Sequence, residues 1–147
     1  MTAPMYLLPQ SEESTLLLVP RDRVLSIIHQ VVPLLEPALA RASGRYEIGD
    51  IIALCLAEQM QLWVSVYRGT VEAVCVTQIN IFPRKKVLGI VFVGGGERDH
   101  WMPFGEKIIA WGKEKGCTQV DAYDARHGAW GRITGWKERY RVIGTEI

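Results

Sequence analysis

The stretch from Val87 to Gly116, VLGIVFVGGGERDHWMPFGEKIIAWGKEKG, constrains the fold more than any other part of the chain. It opens as a continuous apolar run rich in β-branched residues, the pattern of a buried strand over residues 87–93. Three consecutive glycines, Gly94, Gly95 and Gly96, end that run. An amphipathic helix follows, with Trp101, Phe104, Gly105, Ile108, Trp111 and Gly112 on one stripe, Asp99 as N-cap and Gly116 just past the C-terminus. Gly105 and Gly112 share that stripe, which predicts close approach of the helix to the sheet at both. Strand, glycine loop and helix form a unit that can hold a phosphate, because small residues admit backbone N–H groups and a helix N-terminus carries positive potential.

Around this spine the pattern is read in chain order. Residues 1–13 form an extended arm, and residues 14–19 (STLLLV) a short strand stopped by Pro20. Val24, Ile27, Ile28, Val31 and Val32 fall at helical spacing. Pro33 lacks an N–H and clashes with the preceding turn, so a break is expected there, with a second helical piece over 34–42. Residues 46–60 read as the next helix, and 61–67 and 71–82 as a hairpin around Arg68-Gly69. A basic turn at 83–86 leads into the central strand. Beyond Gly116, residues 117–123 read as a strand, 125–133 as a short helix and 139–147 as a final strand. No linker or repeat interrupts residues 14–147, so one domain is expected, large enough to bury a core without disulfides or metals.

Charge and cysteine usage narrow the function classes. The net charge of +1 gives no global reason to bind nucleic acid or membranes. Local basic clusters (Arg84-Lys85-Lys86, and Arg126 to Arg141 with Trp130, Trp136 and Tyr140 interleaved) read as solvated faces over core aromatics, so direct nucleic-acid binding is not expected. Cys55, Cys75 and Cys117 form no CxxC pair and read as small buried hydrophobes in a reducing compartment. No uninterrupted apolar run approaches the ~18–20 residues of a membrane span, and no secretory leader is evident. His29, His100 and His127 lack metal-ligand spacing, so no metal is assigned. Asp124 and His127 could form a proton-transfer dyad, although Asp124 reads first as a helix cap. Trp63 and Trp130 are the candidates for exposed interface anchors, since Trp is enriched at such positions.

The element order resembles the GNAT superfamily of N-acetyltransferases over nearly the whole chain. Two features carry the resemblance. One is the strand–glycine loop–helix at Val87 to Gly116. The other is the end AWGRITGWKERYRVIGTEI, similar to the family's short helix, glycine–aromatic turn (here Gly135-Trp136) and last strand. The resemblance implies an α/β (α+β) fold with a mixed, mostly antiparallel central sheet flanked by helices on both faces. It also implies acetyl transfer from acetyl-CoA to an amine, with the glycine loop around the pyrophosphate.

Several residues depart from the family pattern. Glu97-Arg98-Asp99-His100-Trp101 replaces the small residues that follow the glycines, and Glu97 and Asp99 bring carboxylates to the phosphate position. The position of the family's general-acid Tyr holds Gly131, and its frequent Asn aligns with Arg126. The central strand has no Glu to serve as base, and Glu72 reads as a solvated hairpin residue. These departures favour a non-catalytic structural or assembly component that binds no cofactor. Resemblance to small GNAT-like proteins of tailed bacteriophages places such a component in a virion, homo-oligomeric or among other subunits, and made in the host cytoplasm. The alternative is an active acetyl-CoA-dependent N-acetyltransferase. It would use Gly94, Gly95, Gly96 and Arg98 for the cofactor, and Tyr123 or His100 for proton transfer.

Overall fold

The computed structural model of the chain describes residues 6–95, 104–123 and 135–147. Five strands form one sheet in sequence order: β1 (Thr15–Leu18), β2 (Gln61–Tyr67), β3 (Thr70–Ile81), β4 (Lys86–Gly95) and β5 (Gln119–Ala122). The pairings from β1 to β4 are antiparallel, and β5 joins β4 in parallel. Helices α1 (Val24–Ala40) and α2 (Ile48–Leu56) cover one face. Helix α3 (Phe104–Glu114) covers the other, where Ile108 and Trp111 pack with Trp63 and Leu88. The expected sheet and its two helical layers are therefore present.

Helix α1 runs unbroken through Pro33 and Pro37, contrary to the expected break. Both prolines lie on its exposed side, one turn apart, where the carbonyls they leave unbonded face water. Val24, Ile27, Val31, Leu35 and Ala38 form the opposite, buried stripe. Arg21–Ala40 is long and apolar enough to cross a membrane by length and composition. That buried stripe packs on the sheet, which is the behaviour of a core helix.

Helix α2 is shorter than its apolar pattern. It starts where Asp50 accepts a hydrogen bond from the Glu47 N–H at 2.9 Å, and it stops before Glu58, whose φ of 59° leaves the helical region. Met60 reaches the core from the connection. Of the N-terminal arm, Tyr6 and Leu8 pack against the core. Pro9 O and Ser11 O accept hydrogen bonds from the β2–β3 turn, from Gly69 N–H at 2.8 Å and Arg68 N–H at 3.0 Å.

Residues 135–147 form neither strand nor helix, so the expected final strand is absent from this segment. The expected short helix over 125–133 lies wholly outside the described residues.

Two bulges re-aim the central strands. Ser65 pairs with Ala73 but Val66 with Val71, leaving Glu72 as the extra residue of β3. Val76 pairs with Phe92 but Thr77 with Ile90, leaving Val91 extra on β4. Without the second bulge Leu88 and Phe92 would share a face. With it, Leu88 packs under α3 and Phe92 packs toward α1 and α2, edge-on to Tyr46 at 5.5 Å between ring centroids.

Candidate active site

The described pairing of β4 with β5 ends at the Val91 bulge. Their pairing covers Val87–Ile90 against Gln119–Ala122, and the Tyr123 N–H to Ile90 O bond of 3.1 Å is its last rung. Beyond it β4 continues to Gly95, bonded to β3. Among the described residues no strand pairs with this part of β4 on its other side. The main-chain edge of residues 91–95 is therefore open on the β5 side among the described residues. Its length is ~17 Å at ~3.3 Å per residue.

Tyr123 follows the last paired residue of β5. Its ring crosses β4 above Gly89 and its hydroxyl accepts a hydrogen bond from Asn80 Nδ2 at 3.0 Å. A Cβ on Gly89 would lie 3.1 Å from the Tyr123 hydroxyl and 3.2 Å from Asn80 Nδ2, so this glycine leaves the ring its place. Burial pushes the phenol up from its ordinary value of 10.0, while the Asn80 hydrogen bond pulls it down and Tyr140, Asp121 and Tyr46 add to the rise. The phenol therefore holds its proton at neutral pH. Because Asn80 donates to the oxygen, that proton is free to be given to another group.

At the far end, Gly94 and Gly95 meet α1 closely. A Cβ on Gly94 would fall 1.9 Å from Leu34 O in α1, and one on Gly95 2.7 Å from Glu72 O and 2.8 Å from Leu34 Cδ2. Gly95 also has a φ of +71°. These two glycines let α1 lie directly on β4. On α3, Gly112 does meet the sheet, with its would-be Cβ 2.9 Å from Leu88 Cδ2. Gly105 meets nothing within 4 Å, so only one of the two expected close approaches occurs.

The remaining sequence candidates separate. Gly96, Arg98, His100 and Trp130 lie outside the described residues, as do Asp124 and His127. Trp63 is 5% exposed, so the expectation of an exposed anchor is corrected. It packs edge-on to Trp111 at 5.4 Å and donates from Nε1 to Thr77 Oγ1 at 3.0 Å. Its alternate-residue position on β2 points it under α3. Glu72 is also not a free hairpin residue. Its bulge turns it inward, where Oε1 accepts from Ser14 Oγ at 2.5 Å and Ser65 Oγ at 3.0 Å. Sequence reasoning missed Asn80 and Gly89. A lone glycine inside a strand pattern signals close approach of another group, and Gly89 carried that signal.

No family model matches the chain, and no curated protein matches it. Solved structures do. One is an aminoglycoside acetyltransferase from an uncultured soil metagenomic sample, in complex with sisomicin. It matches with a TM-score of 0.69 at 11% identity over 91% of this chain and 95% of that one. An aminoglycoside N-acetyltransferase in complex with CoA matches at 0.64 and 12% identity, covering 96% and 99% of the two chains. A ribosomal-protein-alanine N-acetyltransferase from Brucella melitensis biovar Abortus matches at 0.67 and 9% identity, covering 92% and 99%. The chain has the GNAT fold.

Proposed function

We propose that the protein is an acetyl-CoA-dependent N-acetyltransferase that acts on an amine. One observation carries the reading: the pairing of β4 with β5 ends at a bulge, next to a proton-bearing tyrosine, and beyond it the edge of β4 is open among the described residues. The solved relatives support it, being acetyltransferases with this fold, one of them bound to CoA.

The described residues fit the extended arm of acetyl-CoA. The free edge of β4 over residues 91–93 offers main-chain donors and acceptors, and an extended, amide-bearing chain pairs with such an edge as a strand would. The ~17 Å from Ile90 to Gly95 is about the reach of an extended pantetheine arm. Gly94 and Gly95 let α1 lie against the sheet. Bound acetyl-CoA supplies an activated acetyl thioester.

Tyr123 then supplies a proton beside this open edge. Its phenol keeps the proton until a stronger base forms beside it, because burial disfavours the phenolate. Asn80 fixes the oxygen and Gly89 gives the ring room. Phe92 and Tyr46 pack edge to face on the neighbouring helical side of the sheet.

The test is release of free CoA thiol from acetyl-CoA on addition of primary amines. The wild-type chain should show amine-dependent release. A positioned acid typically contributes ~10²–10⁴-fold, so Tyr123→Phe should lower kcat by at least ~10²-fold and leave the KM for acetyl-CoA unchanged. Equal rates for the two proteins would remove Tyr123 from the mechanism. No release with any amine would remove the reading.

A second reading, a non-catalytic assembly subunit of a phage virion, draws on the exposed apolar side chains of the C-terminal segment. Tyr140, Val142, Ile143 and Ile147 are all solvent-facing, with Ile143 94% exposed. Runs of this kind mark contact surfaces. Under that reading the segment packs against other subunits, and the chain forms a homo-oligomer in solution.

A further inference from the structure

A second open edge lies at the other end of the sheet from the open edge of β4. β2 begins at Gln61, opposite Thr77, whereas β3 runs on to Ile81. Residues 78–81 pair with β4 on one side. On the other, among the described residues, no strand continues β2. The Phe82 N–H donates to Lys85 O at 2.8 Å and closes a tight hairpin around Pro83 and Arg84. Main-chain groups of an antiparallel strand alternate in direction. With Phe82 bonded across the hairpin, Asn80 and Gln78 also face β4, and the N–H and C=O groups of Ile79 and Ile81 face away from it. They face a groove of about 430 Å³, with Glu58 and Gln61 on one wall and Gln78, Ile79, Ile81 and Lys86 on the other.

We propose that this notch is a peptide-docking site, in which an extended segment of a partner protein continues the line of β2 and pairs with the free edge of β3. The edge of residues 78–81 is ~13 Å long at ~3.3 Å per residue, room for three or four residues of a strand. Strand addition takes its affinity from main-chain hydrogen bonds and its selectivity from the side chains beside them. Here Ile81 is 79% exposed and offers an aliphatic surface. Arg84 at the hairpin tip and Lys86, which lines the groove and donates from Nζ to Lys115 O, make the outer end cationic, while Glu58 is the acid at the inner end. The segment that fits alternates aliphatic and acidic residues. A nucleic acid or an anionic bilayer would use the cations and leave the main-chain edge unpaired. A second copy of this chain would bring a like-charged hairpin tip against this one, and lysines on an edge oppose such self-pairing.

The proposal is independent of the acetyltransferase reading and is tested on the full chain without acetyl-CoA. The probe is a capped hexapeptide alternating valine and glutamate, and the control is the same peptide with a central proline. In backbone-amide NMR the Ile79 and Ile81 amides should exchange rapidly with solvent in the free protein. With the probe they should shift and become protected, and the control should bind at least tenfold more weakly. Ile81→Pro removes one edge N–H on an exposed residue and should weaken the probe at least tenfold with an unchanged thermal melt. Should that variant melt lower, Lys86→Glu is the second, and it should weaken the probe at least fivefold. Slow exchange of Ile79 and Ile81 in the free protein would overturn the proposal. So would equal binding of probe and control, the absence of any shift at millimolar probe, or shifts centred elsewhere.

Discussion

Gly94→Ala separates two explanations of the glycine run. If Gly94 is small to admit a ligand, alanine costs binding and leaves stability alone. If it is small to admit α1, alanine destabilises the fold. The added methyl would fall 1.9 Å from Leu34 O and 2.8 Å from Leu34 C, both main-chain atoms. A clash with the end of a side chain is relieved by rotation, but here a helix must lift from a strand. The stripe through Val31 and Leu35, both fully buried, would lift with it. Overpacking a core typically costs ~1–3 kcal/mol, and a main-chain obstacle places this case at the upper end, ~3 kcal/mol. For a chain of this size that is a fall in Tm of ~10 °C. Thermal melts and urea denaturation followed by far-UV circular dichroism measure it. Gly105→Ala is the control. Its Cβ meets nothing within 4 Å, so replacing a helical glycine should leave stability unchanged or raise it by up to ~1 kcal/mol. A Gly94→Ala protein melting within ~2 °C of wild type would refute the packing argument.

Two further substitutions or conditions probe the core and its ionisable groups. Trp63→Ala removes a buried ring, its edge contact with Trp111 and its bond to Thr77, and should cost ~3–5 kcal/mol in urea denaturation. A cost below ~1 kcal/mol would return Trp63 to the surface. Burial pushes the Cys55 thiol up to about 11, so the folded state keeps a proton that the unfolded chain releases near pH 9. The stabilisation is complete below pH 9 and should fall by about 1.4 kcal/mol per pH unit between there and pH 11. Cys55→Ala, compared with wild type by denaturation at each pH, should show a shallower decline. Parallel declines would exclude Cys55 as the source.

How far the fold could be read from the sequence depended on whether a signal was local. The buried strand of β4, the stripes of α1 and α3 and the β2–β3 hairpin follow from apolar periodicity and turn residues alone. Pro33 misled because the same rule that breaks a helix is relaxed when the unbonded carbonyl faces water, and exposure is decided by tertiary packing. Trp63 misled because composition cannot tell which side of a strand faces a helix, whereas the register of β2 does.

The candidate site was less legible for the same reason. Tyr123 was accessible as a residue type near a strand end, but Asn80, which holds it, lies 43 positions away in sequence. The bulge at Val91 is a mismatch of one residue between two strands and has no signature in either alone. The glycines were conspicuous, yet their purpose depends on Leu34, in a helix far upstream.

The most direct test of the central claim, that the open edge of β4 holds acetyl-CoA, is a titration of the full chain with acetyl-CoA followed by thermal shift. A ligand that binds only the folded chain stabilises it by ~2.7 kcal/mol at one hundred times its Kd, a rise in Tm of ~8–10 °C here. The account predicts a saturable rise of that order. An unchanged Tm at millimolar acetyl-CoA would contradict it.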